Sequence, residues 1–173
     1  MTLAAPSASR STPTSGISTR SSELTVARRV ITVADLSSMP PADVDDVFRS
    51  GSVGQIPDGQ AAGTALFAPG SSIQPLLGRF VRSWAWQGKR FRAGARRLEN
   101  LILPFGVPAI SADVYQGRSW FDAEPCIVLD YSRRSFVAQK IRDEIRRIAP
   151  GLYLGLVYWG KTRAMYFTLQ FPA

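Results

Sequence analysis

Residues 152–173, LYLGLVYWGKTRAMYFTLQFPA, constrain the fold more tightly than any other stretch of the chain. Met165, Phe167, Leu169 and Phe171 alternate with Tyr166, Thr168 and Gln170. A period of two is the mark of a strand with one face buried. Leu156, Val157, Tyr158 and Trp159 are strand formers as well. Gly160-Lys161-Thr162 between the two runs reads as a hairpin turn.

The same stretch contains GLVYWGKT, residues 155–162, which satisfies the G-x-x-x-x-G-K-[ST] pattern of phosphate-binding loops. A phosphate loop opens a helix, whose free amide ends support the phosphates. Here a strand follows the motif instead. The hairpin reading is preferred, and nucleotide binding at this motif is not expected.

Short strand-like runs dominate from Gln87 on: KRF, NLILPF, AISADVY and CIVLDY. In one of them Ile110, Ala112 and Val114 face one way and Ser111, Asp113 and Tyr115 the other. QGRSWFDAEP supplies a hairpin connection after Tyr115, and a shorter strand is expected over Gly63–Ala68. Three helices are expected. PPADVDDVFRSG has prolines 40 and 41 at its start, acids in its first turn and Gly51 as its stop. Residues 71–86 carry Ile73, Leu76, Leu77, Phe80, Val81 and Trp84 at helical spacing. Residues 133–148 place Val137, Ile141, Ile145 and Ile148 on one stripe. The expected class is α+β: a curved, mainly antiparallel sheet of six to eight strands approaching a small barrel, with two or three flanking helices.

Residues 1–34 are rich in Ser, Thr, Ala and Arg, hold one acid and show no apolar period, so they read as a disordered leader before a single domain over 35–173. A chain of 173 residues with 45% hydrophobic content suits one such domain. No run approaches the ~18 apolar residues that span a bilayer. The lone Cys126, in PCIVLD, reads as a buried structural thiol. The expected compartment is the cytoplasm, with organellar targeting by the leader as the alternative.

Histidine is absent. That removes Ser-His-Asp and Cys-His catalysis and histidine-ligated metals, and one cysteine removes thiolate clusters. No cofactor and no metal site are expected. The net charge of +8 comes from arginines scattered as RR pairs, with the densest group between Arg79 and Arg97. Within it, SWAWQGKRFRAG mixes aromatics with cations, which can form a stacking platform for single-stranded nucleic acid. Aromatics filling the core under a basic rim are the preferred reading. Asp143 and Glu144 stand four residues from Arg147 and Lys140, the spacing of ion pairs on a helix surface.

Two stretches together resemble a known family. DVDDVFRSGSVGQIPDGQAAGTALFAPGSSIQPLLGRFVRSWAWQGKRF is similar to the amino-terminal part of the bacterial GXWXG-type proteins, with the signature at Trp86-Gln87-Gly88-Lys89-Arg90-Phe91. IRDEIRRIAPGLYLGLVYWGKTRAMYFTLQF looks like that family's closing segment, so the resemblance spans residues 43–171. The family's naming tryptophan is missing near Gly63, and so is the histidine expected after it. The resemblance implies a calycin-like or lipocalin-like small barrel and leaves the biochemical role unassigned.

The first functional expectation is a cofactor-free binding protein for a small apolar or aromatic molecule held in the barrel. Trp86, Phe91, Asp113, Tyr115, Asp130, Tyr153 and Tyr158 are the candidate lining residues. The alternative is a small isomerase, cyclase or hydrolase with Asp130 and Tyr131 as its carboxylate–tyrosine pair, since a buried acid with a raised pKa serves general acid–base chemistry. Asp130 could equally cap a helix or pair with an arginine. A third reading is a basic module for nucleic acid or membrane surfaces.

Overall fold

The computed structural model describes residues 30–66, 86–102, 107–134 and 138–172. Two short helices come first, α1 (Val33–Ser38) and α2 (Pro41–Ser50). Eight strands follow: β1 (Gly59–Leu66), β2 (Trp86–Arg92), β3 (Arg97–Ile102), β4 (Val107–Arg118), β5 (Pro125–Asp130), β6 (Ile141–Ala149), β7 (Leu152–Trp159) and β8 (Thr162–Gln170). Each strand pairs antiparallel with the next, and β1 pairs with β8 from Ala62↔Gln170 to Leu66↔Tyr166, so the sheet closes into a barrel.

Alternation along the strands sorts the core into an inside and an outside. Phe91, Leu98, Ala112, Val114, Ile127, Leu129, Ile145, Val157, Phe167 and Leu169 belong to the interior cluster. The opposite side chains of β7 and β8, Leu154, Leu156, Tyr158 and Tyr166, are covered by Leu36 of α1 and by Val44 and Phe48 of α2. Burial on both faces explains why LYLGLVYW is a nearly continuous apolar run.

The helices form where local chemistry favours them. Thr32 caps α1, its hydroxyl accepting from the Asp35 amide at 3.2 Å while the Asp35 carboxylate accepts from the Thr32 amide at 3.0 Å. Pro41 occupies the first turn of α2, where its missing N–H costs nothing, and Asp43 faces the positive end of the helix. Helix α1 begins inside the stretch assigned to the leader, and residues 1–29 lie outside the described residues.

Two glycines are demanded by close approach. Gly88 sits at a bulge in β2 with φ +134°, and a Cβ there would collide with the Ala61 carbonyl oxygen. Gly155 on β7 faces inward, and a Cβ there would strike the Phe167 ring.

The expected antiparallel barrel is present, with eight strands, and the β7–β8 hairpin turns at residues 160–161. The helix expected over 133–148 is absent: residues 141–149 form β6. The Ile141, Ile145 and Ile148 spacing suits a helix, but Ile141, Asp143 and Ile145 also share one face of a strand. Pairing with β5 and β7 on either side decides between the two periods. The strand expected over 63–68 is found as β1, Gly59–Leu66. The helix expected over 71–86 falls on 67–85, outside the described residues, and Trp86 opens β2.

Gly155→Ala is expected to lower stability by about 1–3 kcal/mol, because the added methyl displaces the Phe167 ring within a closed interior. Adding Phe167→Leu should recover part of that loss. Denaturant unfolding of the single and double variants checks both.

Candidate functional site

A polar cluster lies inside the barrel. Lys89 on β2, Asn100 on β3, Tyr131 just past β5 and Asp143 on β6 converge there. Alternation brings them in: Lys89 is two residues from Phe91, and Asp143 stands between Ile141 and Ile145. The cluster lies nearer the barrel end where β5 stops and β6 begins. At the opposite end Phe171 packs against Phe91 in a tilted pair and against Tyr153 edge-on, with ring centroids 5.6 and 5.5 Å apart.

Lys89 Nζ donates to Asn100 Oδ1 and to Asp143 Oδ2 at 2.9 Å each, and to the Tyr131 hydroxyl oxygen at 2.5 Å. The Tyr131 hydroxyl donates to Asp143 Oδ2 at 3.1 Å and accepts from Asn100 Nδ2 at 3.2 Å. The Lys89 ammonium lies 5.2 Å from the centre of the Tyr131 ring and 5.3 Å from that of Phe167, in cation–π range. Side-chain exposure of Lys89 and Asp143 is 5% and 4%, so the ion pair is out of water. Asp143 Oδ1 is buried and accepts no hydrogen bond from the described residues.

Burial, reinforced by the neighbouring Asp143 carboxylate, holds the Tyr131 hydroxyl well above its ordinary pKa. Tyr131 therefore stays protonated at every physiological pH and acts as a donor. The cluster thus offers an ammonium, a phenol and a carboxylate oxygen with spare capacity, within an apolar wall. This combination can orient a small molecule, and its phenol and carboxylate can exchange a proton with one.

The residues singled out from the sequence divide between two faces. Phe91, Tyr131 and Tyr153 are inside. Asp113, Tyr115 and Asp130 point outward, where Arg134 pairs with Asp113 at 3.0 Å and the Tyr115 hydroxyl donates to Asp130 at 3.4 Å. Tyr158 also faces outward, 5.3 Å from the Trp120 ring. Trp86 opens β2 opposite Ile102, and its side chain lies outside the described residues. Asp130 and Tyr131 are consecutive along the chain, so their side chains diverge and form no shared pair. Nor does Asp130 have the raised pKa that the enzyme alternative requires: burial pushes it up, but hydrogen bonds from Ser132 and Tyr115 together with the Arg142 charge leave it lowered. It caps the turn after β5, accepting from the Ser132 amide at 2.9 Å.

Lys89, Asn100 and Asp143 escaped the sequence reading. Lys89 lies in a run of cations that suggests a basic rim, and Asp143 stands at helical ion-pair spacing from Arg147, but residues 141–149 form a strand. The available signal was strand alternation, which places an acid between two inward isoleucines and a lysine beside an inward phenylalanine. Glu144 likewise pairs with Arg142 at 2.9 Å rather than with Lys140. Lys161 of the GKT motif is a turn residue lying 3.5 Å over the Trp120 ring, so no phosphate loop forms. The Cys126 thiol is buried, and its pKa is pushed up to about 12 by that burial and by Glu144, so it is inert.

Among the described residues no helix is long and apolar enough to cross a membrane, and no group of three or more acids and cysteines is placed to hold a metal ion. No family model matches the chain, and no curated protein matches it. A crystal structure of a protein from Thermomonospora curvata shares the fold, with a TM-score of 0.58 at 18% identity, covering 78% of this chain and 89% of that one.

Lys89→Met should destabilise the protein by about 3–5 kcal/mol, because it leaves a buried carboxylate without its cation. The double variant Lys89→Met with Asp143→Leu should be more stable than the single one, since the charges leave together. Thermal and denaturant unfolding check the order.

All five tyrosines are held above their ordinary pKa of 10.0, chiefly by burial, with Tyr166 pushed up to about 12. The unfolded chain releases these protons first, so stability is full below about pH 10 and falls as pH rises past it. Tyrosinate absorbance in an alkaline titration should therefore lag behind free tyrosine and rise together with loss of the fold by circular dichroism.

Proposed function

We propose that this protein binds a small, largely apolar or aromatic molecule inside the barrel, without a cofactor. The polar cluster orients the molecule and the apolar wall supplies most of the affinity. The observation that carries this reading is the buried Asp143 Oδ1, which accepts from no described residue, at a polar cluster set in a mainly apolar interior. A purely structural ion pair is normally satisfied at every polar atom, because each unpaired one costs about 1–3 kcal/mol. An eight-stranded barrel has room for side chains or one small ligand. The calycin-like outline that the GXWXG-type resemblance implies is compatible with this reading, and Lys89 belongs to the run that carries that resemblance.

A second reading, a small histidine-independent isomerase, cyclase or hydrolase, has one observation in its favour. An acid and a tyrosine do share a hydrogen bond in the interior, as Asp143 and Tyr131. The phenol would give a proton and the carboxylate would take one. Tyr131→Phe separates the two readings: it abolishes turnover while leaving much of the binding.

The scattered basic surface favours a solvated rim over nucleic-acid binding, and salt dependence distinguishes them. A neutral apolar fluorophore should bind saturably at one site per chain, with an affinity nearly independent of ionic strength, whereas nucleic-acid binding falls steeply with salt. Val157→Phe narrows the interior and should weaken the fluorophore about tenfold or more, about 1.4 kcal/mol. Tyr158→Phe, on the outer face, should leave it unchanged. An apolar fluorophore that never saturates, alongside oligonucleotides that bind with a steep salt slope, would transfer the function to the basic surface.

A further inference from the structure

We infer that the molecule bound inside the barrel is neutral and presents a hydrogen-bond donor, a hydroxyl or an N–H group, to Asp143 Oδ1. The inference rests on the binding reading above and specifies the ligand class it takes.

Among the described residues, no neighbour of Asp143 serves this oxygen. Across the sheet the residue stands opposite Leu129 on β5 and Val157 on β7, and along its own strand it lies between Ile141 and Ile145 on the same face. All four side chains are apolar. The donors of the cluster aim elsewhere: Lys89 Nζ and the Tyr131 hydroxyl both donate to Oδ2, and Asn100 Nδ2 donates to Tyr131. A buried acceptor of this kind gains most from a donor carried in by the ligand.

Charge selects among donors and against acceptors. Lys89 and Asp143 already neutralise each other at 2.9 Å. An anionic group would face the open carboxylate oxygen in a medium of low dielectric, and it would have to draw Lys89 from three existing acceptors. A cationic group at Oδ1 would lie within a few ångströms of the Lys89 ammonium, on the far side of the same carboxylate. A neutral hydroxyl or N–H meets neither penalty. The apolar remainder of the molecule is set by Leu129, Val157 and Phe167, which flank the cluster.

Four probes of one ring system test this: 2-naphthol, 2-methoxynaphthalene, 2-naphthoate and 2-naphthylmethylammonium, titrated into the full chain at neutral pH by fluorescence and calorimetry. The naphthol should bind about tenfold or more tighter than its methyl ether, which has the same ring and no donor, and tighter than either ion. In the double variant Lys89→Met with Asp143→Leu, the naphthol and the ether should bind alike. Should that variant fail to fold, the comparison in the natural protein still decides. If the ether equals the naphthol, the barrel binds apolar molecules but the donor requirement is overturned. If either ion binds tightest, the neutral class is overturned. If none of the four binds, the binding reading falls and takes this inference with it.

Discussion

Closure of the barrel through the β1–β8 ladder is the constraint on which the rest of the structure depends. A closed sheet has no edge, and it divides every strand strictly into inward and outward residues. Once β1 is held against β8, the parity of each strand is set by its neighbours on both sides. Lys89 and Asp143 then have no route to solvent by a slip of register, because a one-residue slip would also turn Phe91, Ile141 and Ile145 outward. The two charges, 54 residues apart in the chain, meet inside because closure leaves them nowhere else.

The outer face of the same sheet shows how the fold treats buried charge when the purpose is support. Arg146 is 1% exposed; it grips Asp122 through two bonds of 2.7 Å and donates to the carbonyls of Pro125 and Phe48. One guanidinium thereby ties β6 to the β4–β5 connection and to the end of α2. Its planar fork suits that geometry in a way that a lysine ammonium would not. The Arg142 guanidinium and the Lys161 ammonium both lie over the Trp120 ring, at 4.3 and 3.5 Å, holding the connection down on the barrel wall. Much of the basic character that suggests a polyanion partner is thus spent on intramolecular contacts.

Periodicity made most of this architecture legible. The alternation in 163–171 and in 110–115, and the acidic, proline-led start of α2, led directly to the elements that form. Strand β6 was not legible, because IRDEIRRIA carries charge on both faces and a helical stripe by coincidence. Asp143, Glu144 and Arg146 are buried and paired by β2, by the β4–β5 connection and by α2, all distant in sequence, which local propensity cannot register. The related matter of parity divides the candidate lining residues: Phe91 and Tyr153 face inward, while Asp113, Tyr115, Asp130 and Tyr158 face outward. Asp113 and Tyr115 share a side of β4 as alternation predicts, and Asp130 pairs across from Asp113, but that side is the outer one. The apolar Ile110, Ala112 and Val114 face inward instead, as they do in most small barrels, and the interior polar groups come from strands read as rim or helix.

The strongest internal comparison comes from two adjacent acids on β6. Asp143 and Glu144 are both buried, at 3% and 0% exposure, and alternation sends them to opposite faces. Glu144, on the outer face, is saturated. Its Oε2 accepts from the Ser119 hydroxyl at 2.5 Å, and its Oε1 accepts from the Trp120 amide at 2.8 Å and from Arg142 at 2.9 and 3.0 Å. Asp143, on the inner face, has both its donors on Oδ2 and none on Oδ1. The two sites share a strand and a depth, so burial alone does not account for the difference. The outer acid has the bonding pattern of a structural clasp, complete within the chain. The inner one receives no donor on Oδ1 from any described residue, so its bonding is not that of a closed structural clasp, and that difference is what the binding proposal rests on.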